Sequence, residues 1–113
     1  MNWTIEFFHT PGGRCPVKDF LDSLSSRQAA NVIEAIDLLK TFGLQLKEPY
    51  VKHVGYKLYE LRIKDPDGIY RVLYFAYSGK KFVMVHGFVK KTMKIPAKEL
   101  DLAKKRMKEY LNG

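Results

Sequence analysis

Cysteine is almost absent: Cys15 stands alone, so no internal disulfide can form and a thiolate metal cluster has no second sulfur. No stretch approaches the ~18 consecutive apolar residues of a membrane-spanning helix. The beginning of the chain, with Trp3, Thr4, Glu6 and His9, also lacks the basic flank and apolar run of a secretory signal. A reducing cytoplasm without membrane contact is the expected setting. His9, His53 and His86 are widely separated, so neither a metal site nor any cofactor is expected. Gly12-Gly13 and Gly79-Lys80 match no phosphate-cradling loop, which argues against nucleoside triphosphate chemistry. Cys15 precedes a proline suited to opening a helix, where a capping or packing role fits better than a nucleophile's. Repeats and low-complexity segments are missing too.

What remains is an ordinary globular composition. The 113 residues are 46% hydrophobic and 28% charged, enough for one compact domain over residues 1–113 with its own core. The net charge of +8 is unevenly placed. Up to Tyr56 six basic residues balance six acidic ones, and from Lys57 onward fourteen basic residues face six acidic ones. An asymmetry of this kind suits a polyanion, either nucleic acid or an acidic protein, although a solvated lysine-rich helix would also produce it.

Trp3, Ile5 and Phe7 alternate with Thr4, Glu6 and Phe8 as in a half-buried strand. After the Thr10–Gly13 break, Pro16 opens a short helix with Val17, Phe20, Leu21 and Leu24 on one side. Ser25 with Gln28 forms a capping box for a longer helix, striped by Ala29, Val32, Ile33, Ile36 and Leu39 and ended by Gly43. Residues 45–56 read as a linker, with Pro49, Gly55 and no sustained period. Three strands follow, over 58–64, 69–77 and 81–89, joined at Asp65-Pro66-Asp67-Gly68 and at Ser78-Gly79. Pro96 then opens a last helix with Leu100, Ala103, Met107 and Leu111 as its buried stripe. The order β-α-α-β-β-β-α predicts an α+β fold, an antiparallel sheet with helices packed on one face and the other face free.

The chemistry is expected on that free face. If Pro66 and Asp67 form a two-residue turn, Arg62 lies directly opposite Arg71, a like-charge pair that calls for an anion. If Gly68 is a bulge, Arg71 turns to the other face, and the first register is favoured because it spares the core a buried arginine. A two-residue turn at Ser78-Gly79 would set His86 opposite Arg71, with Phe88 and Lys90 further along and Lys91 beyond. Cations with neighbouring rings suit a single RNA strand, whose phosphates pair with the charges and whose unstacked bases use the rings. Solvated strand positions and plain packing aromatics are the alternative. Lys64, Lys94 and the last helix's Lys104, Lys105, Arg106 and Lys108 are further candidates for phosphate contact.

Three segments, Tyr59-Glu60-Leu61-Arg62, Ile69-Tyr70-Arg71-Val72-Leu73-Tyr74 and His86-Gly87-Phe88-Val89-Lys90-Lys91-Thr92, are followed by Lys94, Pro96 and a basic helix. With these in order the chain closely resembles the RelE/HigB-like toxin superfamily, in particular its phage-derived Gp49-like branch, over essentially its whole length. The resemblance implies a type II toxin that cuts messenger RNA on the ribosome without a metal, the ribose 2′-hydroxyl attacking the adjacent phosphate. It further implies that Arg71 stabilises the transition-state phosphate, that Arg62 is the basic residue near the attacking hydroxyl, and that Lys91, or its neighbour Lys90, is the one after the last strand. A small antitoxin, usually with a helix-turn-helix DNA-binding domain, is the implied protein partner. Gyrase-inhibiting relatives leave open a non-enzymatic toxin acting on a protein, and a simple RNA-binding module is a third possibility. Glu60 stands where some relatives carry another base, and no counterpart of the C-terminal tyrosine or histidine of others is visible. Arginine stays protonated and is a poor proton acceptor, so catalysis is expected to lean on electrostatic stabilisation and ribosomal orientation with the general base unassigned, His86 being either a candidate for that role or a structural histidine.

Overall fold

The computed structural model describes residues 2–90 and 94–113. Its elements are β1 (Thr4–Phe7), α1 (Pro16–Asp22), α2 (Ser26–Phe42), a 3-10 turn over Gly43–Gln45, β2 (Val51–Gly55), β3 (Leu58–Asp65), β4 (Gly68–Tyr77), β5 (Lys81–Lys90) and α3 (Ala97–Asn112). Local signals account for most of these boundaries. Pro16 begins α1, while Cys15 holds the preceding position without a side-chain capping bond. Ser25 Oγ accepts from the Gln28 amide at 3.2 Å and Gln28 Oε1 accepts from the Ser25 amide at 3.1 Å, closing the capping box of α2. Gly43 ends α2 with a φ of 57°, and a Cβ there would run into the Trp3 indole, so both conformation and space call for glycine.

The strands form one five-stranded sheet in the order β1-β5-β4-β3-β2. The expected meander of β3, β4 and β5 is present, but the sheet is mixed and not antiparallel throughout, because β1 pairs in parallel with β5, Ile5 beside Phe82 and Phe7 beside Met84. Alternation along one strand reports burial and carries no direction. The stretch expected as a linker contains β2, an edge strand on β3 whose register shifts between His53 and Gly55. That irregularity and Pro49 mask its period.

Helices cover both faces, correcting the one-sided packing expected. On one face Val17 of α1 and Val32, Ile36 and Leu39 of α2 meet Leu61, Ile63, Tyr70, Val72, Tyr74, Phe82 and Met84. On the other, Ala103 and Met107 of α3 meet Leu58, Leu73, Phe75, Val83, Val85 and Phe88. Burying a side chain such as Met107 contributes about 1.5–3 kcal/mol, so α3 is a structural layer, and the supposedly free face is covered over β4 and β5. Leu111 is not in its stripe: it is 48% exposed. Tyr110 takes that place, edge-on to Phe75 and Tyr77 with its hydroxyl donating to Glu6 Oε1 at 3.2 Å. Among the described residues no helix is long and apolar enough to cross a membrane.

The β4–β5 register decides which side chains share a face. Tyr77 pairs with Lys81, so the turn is one residue longer than Ser78-Gly79 and includes Lys80 at a φ of 56°. A second slip follows, with Tyr74 opposite Met84 and Leu73 opposite His86. One slip alone would flip every later side chain of β5, and the second restores the original facing. His86, Phe88 and Lys90 therefore share the face of Arg71, yet Phe88 and not His86 stands opposite it. Gly87, between them, lies under α1, where a Cβ would collide with the Phe20 ring.

Candidate functional site

Alternation along β3 turns Glu60 and Arg62 to the face that carries α3, and the β3–β4 register sets Arg62 opposite Arg71 as expected. The anion this pair requires is Glu60. Arg71 Nη1 donates to Glu60 Oε1 at 2.6 Å, and Arg62 Nε lies 3.0 Å from the same oxygen. Arg71 is far from the exposed position expected of it, since Glu60 and Arg71 are each 1% exposed and Lys90 is 3% exposed. A buried arginine is tolerable here because a buried carboxylate accompanies it. Arg62 alone opens outward, its side chain 17% exposed.

Among the described residues one carboxylate oxygen thus serves two arginines, with Lys90 adding to the positive field of a largely dehydrated cluster. Burial lowers the Lys90 pKa; Glu60 opposes the fall, and Arg71, Arg62 and the β2 residue Lys52 add to it. Burial likewise lowers that of Arg71, with Glu60 opposing and Arg62 reinforcing. Glu60 Oε2 and Arg71 Nε are buried without a hydrogen-bond partner among the described residues. Buried polar groups are nearly always paired, so a carboxylate oxygen and a guanidinium N–H left over at one place mark a polar site and not a packing layer. Chemically, the cluster can draw an anion to Arg62 and hold it in a positive field.

His86 does not join this group. Arg106 Nη1 lies 3.1 Å from His86 Nδ1 and donates at 2.9 Å to the carbonyl of Val85, the residue set free by the β5 slip. Arginine only donates, so Nδ1 accepts, and the ring proton belongs on Nε2, 3.3 Å from Glu99 Oε1. Nδ1 is thus bonded to α3, while Nε2 is buried beside Glu99 without a hydrogen bond among the described residues, and burial is the main cause that lowers the imidazole pKa. The histidine is a latch between β5 and α3, not an available proton acceptor. Arg106, expected among the phosphate contacts, is the other half of that latch.

The remaining cations are scattered. Lys105 and Lys108 are exposed on α3, Lys64 and Lys94 are exposed, and Lys104 sits over the Tyr56 ring with Nζ 3.7 Å from its centroid. Lys91 lies outside the described residues. Two participants escaped the sequence reading. Lys52, opposite Glu60 on β2, fell in the apparent linker, and Glu60 was legible as a face residue but not as the shared counter-ion. Its position two residues before Arg62 and diagonal to Arg71 is the signal that could have found it. No group of three His, Cys, Asp or Glu side chains gathers among the described residues to hold a metal ion.

A family model described as Phage derived protein Gp49-like (DUF891) matches residues 19–108, a span from α1 through most of α3 that includes the whole charged cluster. No curated protein matches the chain.

Proposed function

The chain belongs to the Gp49-like family, a phage-derived family of the RelE/HigB-like toxin type, and from that premise and the Glu60-centred cluster we propose that it is a toxin that cuts messenger RNA on the ribosome. The 2′-hydroxyl attacks the neighbouring phosphate, the bond to the next 5′-oxygen breaks, and the fragments carry a 2′,3′-cyclic phosphate and a 5′-hydroxyl. Support comes from one feature above all: Arg62 and Arg71 share the single oxygen Glu60 Oε1 in a buried cluster that reaches the surface at Arg62.

In this scheme Arg62 meets the phosphate. Glu60 fixes the Arg62 guanidinium, and Arg71 acts through Glu60 and through its field, as does Lys90. Lys91 keeps the role the family pattern gives it, as the basic residue after the last strand. Preorganised charge of this kind is worth about 3 kcal/mol per donor, on the order of a hundredfold in rate. Ribosomal alignment of the hydroxyl with the phosphate supplies the rest, through proximity. The protein partner is a small antitoxin with a helix-turn-helix domain, whose acidic segment engages the basic second half and whose association slows with salt.

Mapping transcript 5′ ends after induction in bacteria tests the proposal. New ends within open reading frames, absent with Arg62→Ala, are expected. Growth arrest with altered DNA supercoiling and no new ends would assign the toxin to a protein target such as gyrase.

A further inference from the structure

Tyr56 occupies the turn between β2 and β3 with a φ of 57°, in the left-handed region that favours glycine. The two-residue turn closed by Gly55 and Leu58 imposes that backbone, but the core makes no use of the side chain, the residue being 69% exposed. Its ring is held by Lys104 of α3, whose Nζ is 3.7 Å from the centroid and also 3.7 Å from Asp101 Oδ1. The exposed Lys105 and Lys108 continue along α3, and the exposed Lys57 follows Tyr56 in the chain. Lys52, exposed and opposite Glu60, lies on the way from the turn to the Arg62 cluster.

We propose that Tyr56 and Lys104 form a stacking platform for an unpaired base of single-stranded RNA, with Lys105 and Lys108 taking its phosphates. An acidic polypeptide would account for the lysines but not for the exposed aromatic ring set among them. A base presents the flat π face that an exposed tyrosine binds, and it can do so only outside a duplex. Tyr56 and Arg62 are six positions apart, at most about 20 Å, so the platform grips the strand away from the cluster and contributes affinity, not chemistry. The ligand class rests on the ribonuclease proposal above.

The test measures binding of the full chain to a fluorescent single-stranded 2′-O-methyl RNA dodecamer, which offers no attacking hydroxyl, and to a duplex of equal length. Tyr56→Gly should bind the single strand on the order of tenfold more weakly while its thermal unfolding midpoint stays within a few degrees of the wild type. Tyr56→Trp should retain affinity, and duplex binding should be indifferent to both. Unchanged single-strand binding by Tyr56→Gly, equal losses on single strand and duplex, or no binding by the wild type would each overturn the platform. Tyr56-dependent binding of polyglutamate in place of RNA would overturn it too, in favour of an acidic protein surface. Transcript cutting in cells with normal RNA binding by Tyr56→Gly would sink the platform alone. Tyr56-dependent binding without any cutting would sink the ribonuclease proposal alone.

Discussion

Glu60→Gln is the perturbation that the charged cluster amplifies most. The change keeps the side-chain volume and removes the negative charge that Arg62 and Arg71 share, with Glu60 and Arg71 each only 1% exposed. Breaking a buried ion pair from one side costs about 3–5 kcal/mol. Two features favour the lower end. A glutamine oxygen can still accept from Arg71 Nη1, and Arg62, 17% exposed, can swing into water. A loss of about 3 kcal/mol from a typical 5–15 kcal/mol should lower the unfolding midpoint by roughly 10–20 °C in a domain of this size. Thermal unfolding followed by circular dichroism measures it. With the carboxylate gone the cluster becomes a better anion site, so phosphate at matched ionic strength should raise the variant's midpoint more than the wild type's. A midpoint within about 3 °C of the wild type, with no phosphate dependence, would refute the claim that Glu60 holds the cations. Burial also means that Arg71→Ala disturbs stability together with activity, which leaves Arg62→Ala as the cleaner test of chemistry.

His86 should make stability pH-dependent below neutrality. Burial, with Arg106 nearby and Glu99 opposing, holds its folded pKa below the ordinary 6.5. The folded state then binds fewer protons than the unfolded state, so stability falls as pH drops below 6.5 and levels off once the folded pKa is passed. Denaturant unfolding between pH 7 and 5 should show this slope in the wild type and a shallower one in His86→Gln. Arg106→Gln removes the bonds to Val85 O and His86 Nδ1 and should cost about 1–3 kcal/mol, measured by the same titration at pH 7. Lys105→Gln and Lys108→Gln, at exposed positions, should leave that stability unchanged and reduce the salt slope of RNA binding by about one for each lysine.

Local chemistry made most of the fold legible. The Ser25–Gln28 box, Pro16, Gly43 and the Asp65–Gly68 turn each act within a few residues, and the elements they bound appear where expected. The Arg62–Arg71 pairing was legible for the same reason, since a tight turn fixes register over the strands beside it. What escaped depends on distant partners. The parallel pairing of β1 with β5 leaves no mark on the alternation of β1. β2 is short, carries a register shift and lies at an edge, so neither period nor burial announces it. Two successive slips in β5 moved His86 one pair along while keeping its face, and only the Val85 carbonyl, taken up by Arg106, shows why the second is tolerated. The amphipathic stripe of α3 was visible, but not which sheet face it covers, and with that went the burial of Arg71.

The central claim is attack by a ribose 2′-hydroxyl in a field set by the Glu60 cluster, and the chemistry of the cut tests it most directly. Purified chain is added to ribosomes halted with a defined messenger in the A site, and the products are resolved by end chemistry. The account predicts a 2′,3′-cyclic phosphate on the upstream fragment and a 5′-hydroxyl downstream. It also predicts a rate on the order of a hundredfold lower with Arg62→Ala, and no cleavage when the nucleotide before the cut carries a 2′-deoxyribose. Cleavage that survives the deoxy substitution, or that leaves a 3′-hydroxyl and a 5′-phosphate, would contradict it.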